Sequence, residues 1–291
     1  MRKYWVAAVV SWLLAAGLSV CSGQSNPGQG KWDLKISNMS AFTGPESFVQ
    51  VRENESQGTR IWFSDLGIQT VQVPSFKATY WMNTSNALDL RLQYFAVRSN
   101  HLLKYPVVFN GATLEGGQIV SADPLWYSLG IYYAYRWFPF ALDKWYFCGR
   151  VGIEYVFINF SINNGHAAVT PTSKGTETKE DFFLQELPIP TAALDIHWNV
   201  SANWAAQGTL EGNYINHWNS GRTEGGTVYL SQWKLEAHLQ IRLSSGHWFK
   251  SLHPSGGIFY YGFRQLEESA EDGNLINWAS FGLEAGLGYE F

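Results

Sequence analysis

The sequence predicts an all-β protein, a closed antiparallel up-and-down transmembrane β-barrel of about ten strands. Three observations predict it. Only 15% of the 291 residues are charged, while 46% are hydrophobic and 16% are aromatic, and soluble domains carry about 25% charged residues. Apolar and polar side chains alternate with period two along most of the chain, as strands with two unlike faces require. The alternating segments are also longer than the roughly five or six residues of a usual soluble strand.

The first 23 residues have the pattern of a secretory signal. Arg2 and Lys3 form a basic start, an apolar run covers 6–18, and small residues follow. The apolar run is shorter than the roughly 20 residues that a membrane-spanning helix needs. We therefore expect a cleaved signal peptide at 1–23 and one barrel domain at 24–291, exported to the cell outer membrane.

The two cysteines and the net charge exclude several classes. Cys21 ends Leu18-Ser19-Val20-Cys21, which resembles a bacterial lipoprotein box with Val20 in place of a small residue, so lipidation of Cys21 stays open. Cys148 is then the only cysteine of the mature chain, with a structural role on an inward face, and no intrachain disulfide is available. A net charge of −4 offers no basic surface for nucleic acid.

Alternation and turn signals divide the chain into strands. In one segment Leu235 and Leu239 share a face, and Lys234 and Glu236 share the other. Ten segments of this kind are predicted, at 31–43, 70–82, 86–98, 124–137, 144–161, 184–198, 203–217, 227–243, 256–266 and 277–291. The segment 44–69 also alternates in part, so it either extends its neighbours or adds a hairpin that would make twelve strands.

The connections alternate in length, which indicates a barrel in an outer membrane. Compact turns are predicted at 83–85, 138–143, 199–202 and 244–255, the last with room for a short interfacial helix at 247–253. Longer loops are predicted at 44–69, 99–123, 162–183, 218–226 and 267–276. Outer-membrane barrels have short periplasmic turns and longer outside loops. A spanning sheet must close on itself because lipid satisfies no backbone hydrogen bond. A soluble exported β-sandwich or barrel is the alternative, since its strands alternate too.

Aromatic residues are predicted to form an interfacial girdle near the turn side of the barrel. They are Trp81, Trp137, Trp145, Trp198, Trp204, Trp233, Tyr289 and Phe291.

The last strand resembles the C-terminal signature of Gram-negative outer-membrane β-barrel proteins. Every second residue of 279–291 is apolar, and the chain ends in Phe291 with Tyr289 two places before it. The resemblance implies that Tyr289 and Phe291 are read by the barrel-assembly machinery. It also implies contact with outer-membrane lipids and lipopolysaccharide, while the oligomeric state stays open. In architecture the chain is similar to small OmpA-like and OmpW-like barrels.

Charged residues are predicted to fill the lumen. A barrel of about ten strands is narrow, and opposite charges on its inward faces should pair because an unpaired buried charge is costly. The predicted inward charged residues are Lys77, Asp89, Arg91, Arg136, Arg150, Glu154, Asp195, Glu211, Lys234, Glu236, Arg242, Arg264, Glu284 and Glu290. The chain is thus expected to be a structural or surface barrel with a charge-filled lumen, or a narrow pore for small solutes.

Two weak catalytic candidates keep an outer-membrane hydrolase as the alternative. Asp195 and His197 share an inward face and resemble the Asp-x-His pair of omptin proteases, but they lie near the wrong end of the barrel. His217 and Ser220 lie at a strand end on the loop side, with a spacing unlike the His-x-Ser pattern of lipid A deacylases. The protein is expected not to be an enzyme.

No cofactor or metal is expected. His238 and Glu236 share an inward face, and a lumen ion pair is the preferred interpretation over zinc ligands.

Overall fold

The computed structural model describes residues 30–53, 56–109, 112–137, 144–160, 162–164, 185–201, 203–219, 227–241, 252–268 and 272–290. Their main element is an antiparallel sheet that closes on itself. No helix among the described residues has the length and apolar character needed to cross a membrane.

The long strands of this sheet are accompanied by shorter strands at one end. The bounds are β1 (Lys31–Thr43), β2 (Phe48–Glu53), β3 (Ser56–Gln57), β4 (Ile61–Trp62), β5 (Thr70–Trp81), β6 (Asn86–Ala96), β7 (Ser99–Leu102), β8 (Val107–Phe109), β9 (Ala112–Leu114), β10 (Ile119–Ala122), β11 (Leu125–Trp137), β12 (Trp145–Asn159), β13 (Ile162–Asn164), β14 (Gln185–Asn199), β15 (Trp204–Asn219), β16 (Thr227–Ile241), β17 (Leu252–Glu268) and β18 (Asp272–Glu290).

Ten of these strands form the barrel wall. They follow one another in the order β1, β5, β6, β11, β12, β14, β15, β16, β17, β18, and β18 pairs back with β1. The prediction of a closed ten-stranded barrel is confirmed.

Period-two alternation decides which side chains face outward. Along β11, Leu129, Ile131, Tyr133 and Tyr135 are exposed on the outer surface, while the residues between them are buried or turn inward. The same alternation holds in β16, where Lys234, Glu236 and other polar residues are buried and Leu235 is exposed. An outer face of large apolar side chains suits lipid rather than water.

The partial alternation in 44–69 extends the barrel and does not add two strands to it. The C-terminal part of β18, Ser280 to Glu290, pairs with β1. The N-terminal part of β18 pairs instead with β2, from Phe48 to Glu53. β1 and β2 therefore occupy the same position in the sheet beside β18, one after the other and separated by a turn. The alternative of twelve strands is wrong.

Two of the predicted connections are shorter than expected because strand pairing continues through them. β17 and β18 stay in register up to Glu268 and Gly273, so most of the predicted loop 267–276 is strand. Gly, Asn and charge indicated a loop there, but β2 pairs with this part of β18 and buries Ile276. At the other end, β17 begins at Leu252, so the predicted helix at 247–253 does not include Leu252 and His253.

We call the two ends of the barrel the turn end, where Gly30 and Glu290 lie, and the loop end opposite. At the loop end a short 3₁₀-helix, η1 (Phe63–Leu66), follows β4 and ends at Gly67, whose φ of 71° is left-handed and favours glycine. Tyr105 from the next loop donates a hydrogen bond to Asp65 beside η1. Partial burial, together with this bond and the Asp65 charge, raises the pKa of Tyr105 to about 12. The bond ties the two loops together.

Candidate functional site

The lumen is the candidate functional site, and it has three layers. We call them the outer plug at the loop end, the charge belt in the middle, and the vestibule at the turn end. Each layer is built from inward-facing strand residues, and the outer plug also takes residues from the loops.

The outer plug is a continuous apolar cluster in which strand and loop residues pack together. Phe63 of η1 is 2% exposed and stacks on Phe160, with ring centroids 5.7 Å apart. Phe95 of β6 and Trp278 of β18, strands separated by β1 and β5 in the barrel wall, meet edge to face at 4.5 Å. The loop residues in the cluster are Ile61, Phe63, Leu66, Ile68, Leu103, Val107, Phe109, Leu114, Val120 and Ala122. The sequence does not predict this layer, because Gly, Asn and charged residues in these segments indicate solvated loops.

One half of the charge belt centres on Arg150, which is 2% exposed. Its Nε lies 2.8 Å from Asp195 Oδ2, and its guanidinium also reaches Glu211 at 3.5 Å and Asp89 at 3.8 Å. Arg91 Nη1 lies 2.7 Å from Glu211 Oε1 and 2.9 Å from Oε2. These charge-assisted contacts satisfy carboxylates that would otherwise be buried without a counter-charge.

The other half of the charge belt lies on β16, β18 and β1. Lys234 Nζ contacts Glu236 Oε1, and Lys35 Nζ lies 2.7 Å from Glu284 Oε1. His238 Nε2 lies between the two glutamates, at 3.5 Å from an oxygen of each. Within the described chain, Glu236, His238 and Glu284 form the group whose ligand atoms all lie within 4.8 Å of one another. Lys35 was missed from the sequence, although it alternates with the inward residues Ser37 and Met39.

The vestibule is a polar cavity of about 380 Å³ that reaches the turn end. Arg136 lies between two aromatic rings there, 3.7 Å from the centroid of Trp81 and 4.4 Å from that of Tyr146. Lys77 pairs with Asp89 at 3.4 Å on its inner wall. The lining of the cavity mixes polar and aromatic side chains, and its charged groups have both signs.

The predicted lumen residues that the structure describes face inward, with one exception. Arg264 is exposed on the outer face, because β17 buries Phe263 and Gln265 on either side of it. Arg242 lies outside the described residues. Cys148 is buried against the vestibule.

The predicted girdle is partly reproduced at the turn end. Trp145 and Trp198 are exposed and stack at 5.0 Å, and Trp204 is exposed beside them. Trp81 instead lines the vestibule, since its position on β5 is an inward one. Trp233 lies in the middle of β16 and stacks on Tyr260 at 4.5 Å. Tyr289 is exposed, and Phe291 lies outside the described residues.

The weak catalytic candidates have other partners. Asp195 accepts hydrogen bonds from Thr209 at 2.7 Å and from Arg150 at 3.0 Å, whereas the His197 ring stacks on Tyr146 with centroids 4.2 Å apart. His217 is exposed near the loop end, 6.0 Å from the Tyr229 ring. Ser220, its predicted partner, lies outside the described residues.

A closed ten-stranded antiparallel barrel with an apolar outer face has the architecture of integral outer-membrane β-barrel proteins. No protein-family model matches the sequence and no curated protein matches it.

Solved structures that are similar to this chain at low sequence identity include three outer-membrane proteins. The outer membrane protease OmpT from Escherichia coli is 9% identical, with 93% of this chain and 99% of that chain covered and a TM-score of 0.47. The outer membrane protein OprG from Pseudomonas aeruginosa is 11% identical, with 91% and 98% covered and a TM-score of 0.40. Neisserial surface protein A is 10% identical, with 91% and 100% covered and a TM-score of 0.32.

Proposed function

We propose that the protein is a structural outer-membrane barrel whose lumen is sealed to solutes. The outer plug carries this proposal. It joins both sides of the barrel wall to the loops through buried apolar side chains such as Phe63, Phe95 and Trp278. A filled apolar layer excludes water and ions because an ion would have to shed its hydration to cross it.

The charge belt supports the same proposal as a second seal. Arg91 pairs with Glu211 across the lumen and Arg150 pairs with Asp195 of the neighbouring strand, and each of the four is less than 10% exposed. A selective pore would place charges of one sign at its constriction, whereas these charges alternate in sign and neutralise one another. The vestibule is then closed at its inner end by the charge belt. The proposal includes no enzymatic step, since Asp195 and His197 are held by other partners.

Planar-bilayer recording of the refolded protein tests the seal. We expect no conductance steps from the wild type over a wide range of voltage. Phe63→Ala combined with Arg91→Ala should open intermittent steps, because the double variant removes a plug ring that stacks on Phe160 and a guanidinium of the charge belt that binds Glu211. Leu129→Ala is the matched control, since Leu129 faces outward, and this variant should stay silent. Regular steps from the wild type would establish a pore and overturn the proposal.

The proposal also includes export by a cleaved signal at 1–23 and insertion with the help of the barrel-assembly machinery, among outer-membrane lipids and lipopolysaccharide. The alternation of apolar residues that ends at Tyr289 and Phe291 supports insertion by the barrel-assembly machinery. The mass of the protein purified from outer membranes tests the cleavage: the mature chain should begin near residue 24, and an intact Met1 would contradict it.

A further inference from the structure

We propose that Glu236, His238 and Glu284 form a binding site for one divalent transition-metal ion, with Zn²⁺ as the best fit, where the charge belt meets the vestibule. Glu236 and His238 lie two residues apart on β16 and so share its inward face. Glu284 comes from β18, two strands away around the barrel. A metal site at this place is independent of whether the lumen is sealed.

Two of the three distances between the ligand atoms match a tetrahedral site, and the third, between the two carboxylates, is within 4.8 Å. His238 Nε2 lies 3.5 Å from Glu236 Oε2 and 3.5 Å from Glu284 Oε2. Zinc binds imidazole nitrogen and carboxylate oxygen at about 2.0–2.2 Å, so two ligands on a tetrahedron lie about 3.4 Å apart. The observed distances exceed the 2.7–3.2 Å of a good N–H···O hydrogen bond. The spacing therefore leaves room for an ion between the three groups.

A glycine on the intervening strand makes this meeting possible. Gly257 of β17 pairs with His238 on one side and with Glu284 on the other. A Cβ at Gly257 would lie 2.6 Å from His238 Nδ1 and 2.4 Å from the carbonyl oxygen of Ala237. Any other residue would thus displace the imidazole, and the absent side chain is what lets ligands from β16 and β18 converge.

Two lysines orient the carboxylates without occupying the proposed ligand oxygens. Lys234 contacts Oε1 of Glu236, and Lys35 lies 2.7 Å from Oε1 of Glu284. The Oε2 atoms of both glutamates are left to face His238. Carboxylates that bind metals are commonly held in this way by outer hydrogen-bond donors, which fix their direction.

An ion can reach the site through the vestibule, because His238 and Lys35 both line that cavity. Three protein ligands leave a fourth position for water from the same cavity, as in open zinc sites. One imidazole with two carboxylates suits a borderline divalent ion rather than Mg²⁺ or Ca²⁺, which prefer oxygen ligands alone.

The competing interpretation is that His238 is a protonated ion-pair partner of both glutamates. The sequence favoured an ion pair because it showed only Glu236 and His238 on one strand. The register of β16, β17 and β18 brings Glu284 close to Glu236 and His238, and the missing side chain at Gly257 leaves space between them. The three side chains together make a three-ligand set.

The experiment uses the tag-free, full mature chain in detergent micelles, stripped of metal with a chelator. Calorimetric titration with Zn²⁺ should show one site per chain, and Co²⁺ should give the visible absorption of a four-coordinate ion. His238→Gln and Glu284→Gln should each weaken binding by about 100-fold or more. Retained heat-modifiable mobility on gels verifies that each variant is folded.

His253→Gln is the matched control. His253 also lines the vestibule and lies 3.7 Å from Glu290, but away from the proposed ligands, so this variant should bind as the wild type does. If the wild type binds no Zn²⁺ or Co²⁺, or if His238→Gln binds as tightly as the wild type, the metal site is wrong. If the wild type binds neither ion, an NMR pH titration that shows a protonated His238 imidazole would establish the ion pair instead. If a ligand variant does not fold, the unfolding midpoint of the wild type and of His253→Gln is measured with and without Zn²⁺. A rise in the midpoint of both proteins that a chelator reverses supports the site. No rise overturns it.

Discussion

Arg150 is the residue on which the stability of the charge belt depends most. Its guanidinium lies within 4 Å of three carboxylates, those of Asp195, Glu211 and Asp89, and it is almost completely buried. Glu211 also pairs with Arg91 and Asp89 with Lys77, whereas Arg150 is the cation that pairs with Asp195. Removing the arginine would therefore leave the Asp195 carboxylate buried without a counter-charge, which is far more costly than losing an exposed ion pair.

We expect Arg150→Met to lower the free energy of unfolding by about 3–5 kcal/mol, because the buried Asp195 would lose its cationic partner while Glu211 and Asp89 would keep only Arg91 and Lys77. The control is Arg98→Met, whose partner Asp123 lies 3.5 Å away and whose side chain is 77% exposed. That variant should cost about 0–1 kcal/mol. Guanidinium unfolding in micelles, followed by tryptophan fluorescence, measures both. Equal losses in the two variants would contradict the role assigned to Arg150.

Alternation predicts the inward face of most of the charged lumen residues that the structure describes, because the pleat decides the face, although it placed Arg264 wrongly and missed Lys35. It did not predict their partners. Glu211 lies on β15 and Arg91 on β6, 120 residues apart, and their contact depends on the curvature of the closed barrel. Lys35 and Glu284 likewise meet only because β18 pairs with β1.

Among the elements, β1 and β18 form the seam that closes the barrel, and Gly282 lies at its tightest point. A Cβ at Gly282 would lie 2.0 Å from the carbonyl oxygen of Ser40 on β1. Backbone atoms cannot move aside as a flexible side chain can. The seam thus requires glycine at this position for steric reasons.

We expect Gly282→Ala to destabilise the barrel by at least about 1–3 kcal/mol, the usual cost of overpacking. Gly256→Ala is the matched control on the neighbouring strand, where the nearest atom to a Cβ would be the carbonyl oxygen of Glu284 at 3.8 Å. The fraction of each variant that keeps heat-modifiable mobility after refolding measures the effect. A folded fraction of Gly282→Ala equal to that of the control would show that the seam relaxes.

The elements at the loop end were the hardest to predict. Ile61, Leu66 and Leu103 lie in segments without long alternation, and Gly, Asn and charge in the same regions indicate solvated loops. Their burial follows from the space inside the barrel mouth, which becomes defined only when the strands close. The outer plug is a tertiary feature of this kind.

For the whole molecule, closure turns a set of two-faced strands into three compartments. The apolar side chains of the outer face suit contact with lipid. The outer plug separates the lumen from the outside, and the vestibule keeps polar groups in contact with water. All three depend on the pairing of β1 with β18, since an open sheet would leave unpaired backbone groups in the membrane. The closing pair is therefore the decisive test of the architecture.

We expect Phe42→Cys with Phe281→Cys, in a Cys148→Ser background, to form a disulfide on mild oxidation. The two positions are register partners across the seam, and their native rings lie 5.6 Å apart on the outer face. Directly opposed residues on neighbouring strands have Cβ atoms about 4.5–5.5 Å apart, within reach of a disulfide after small adjustments. The linked chain, boiled without reductant, should migrate faster on gels because a long loop of the denatured chain is closed.

The matched control pairs Phe42→Cys with Leu129→Cys in the same background. Leu129 is also exposed on the outer face, but β11 is separated from β1 by β5 and β6. This second pair should not form a disulfide within one chain. If oxidation links the control pair as readily as the seam pair, or links neither, the first and last strands do not form the seam on which the lumen depends.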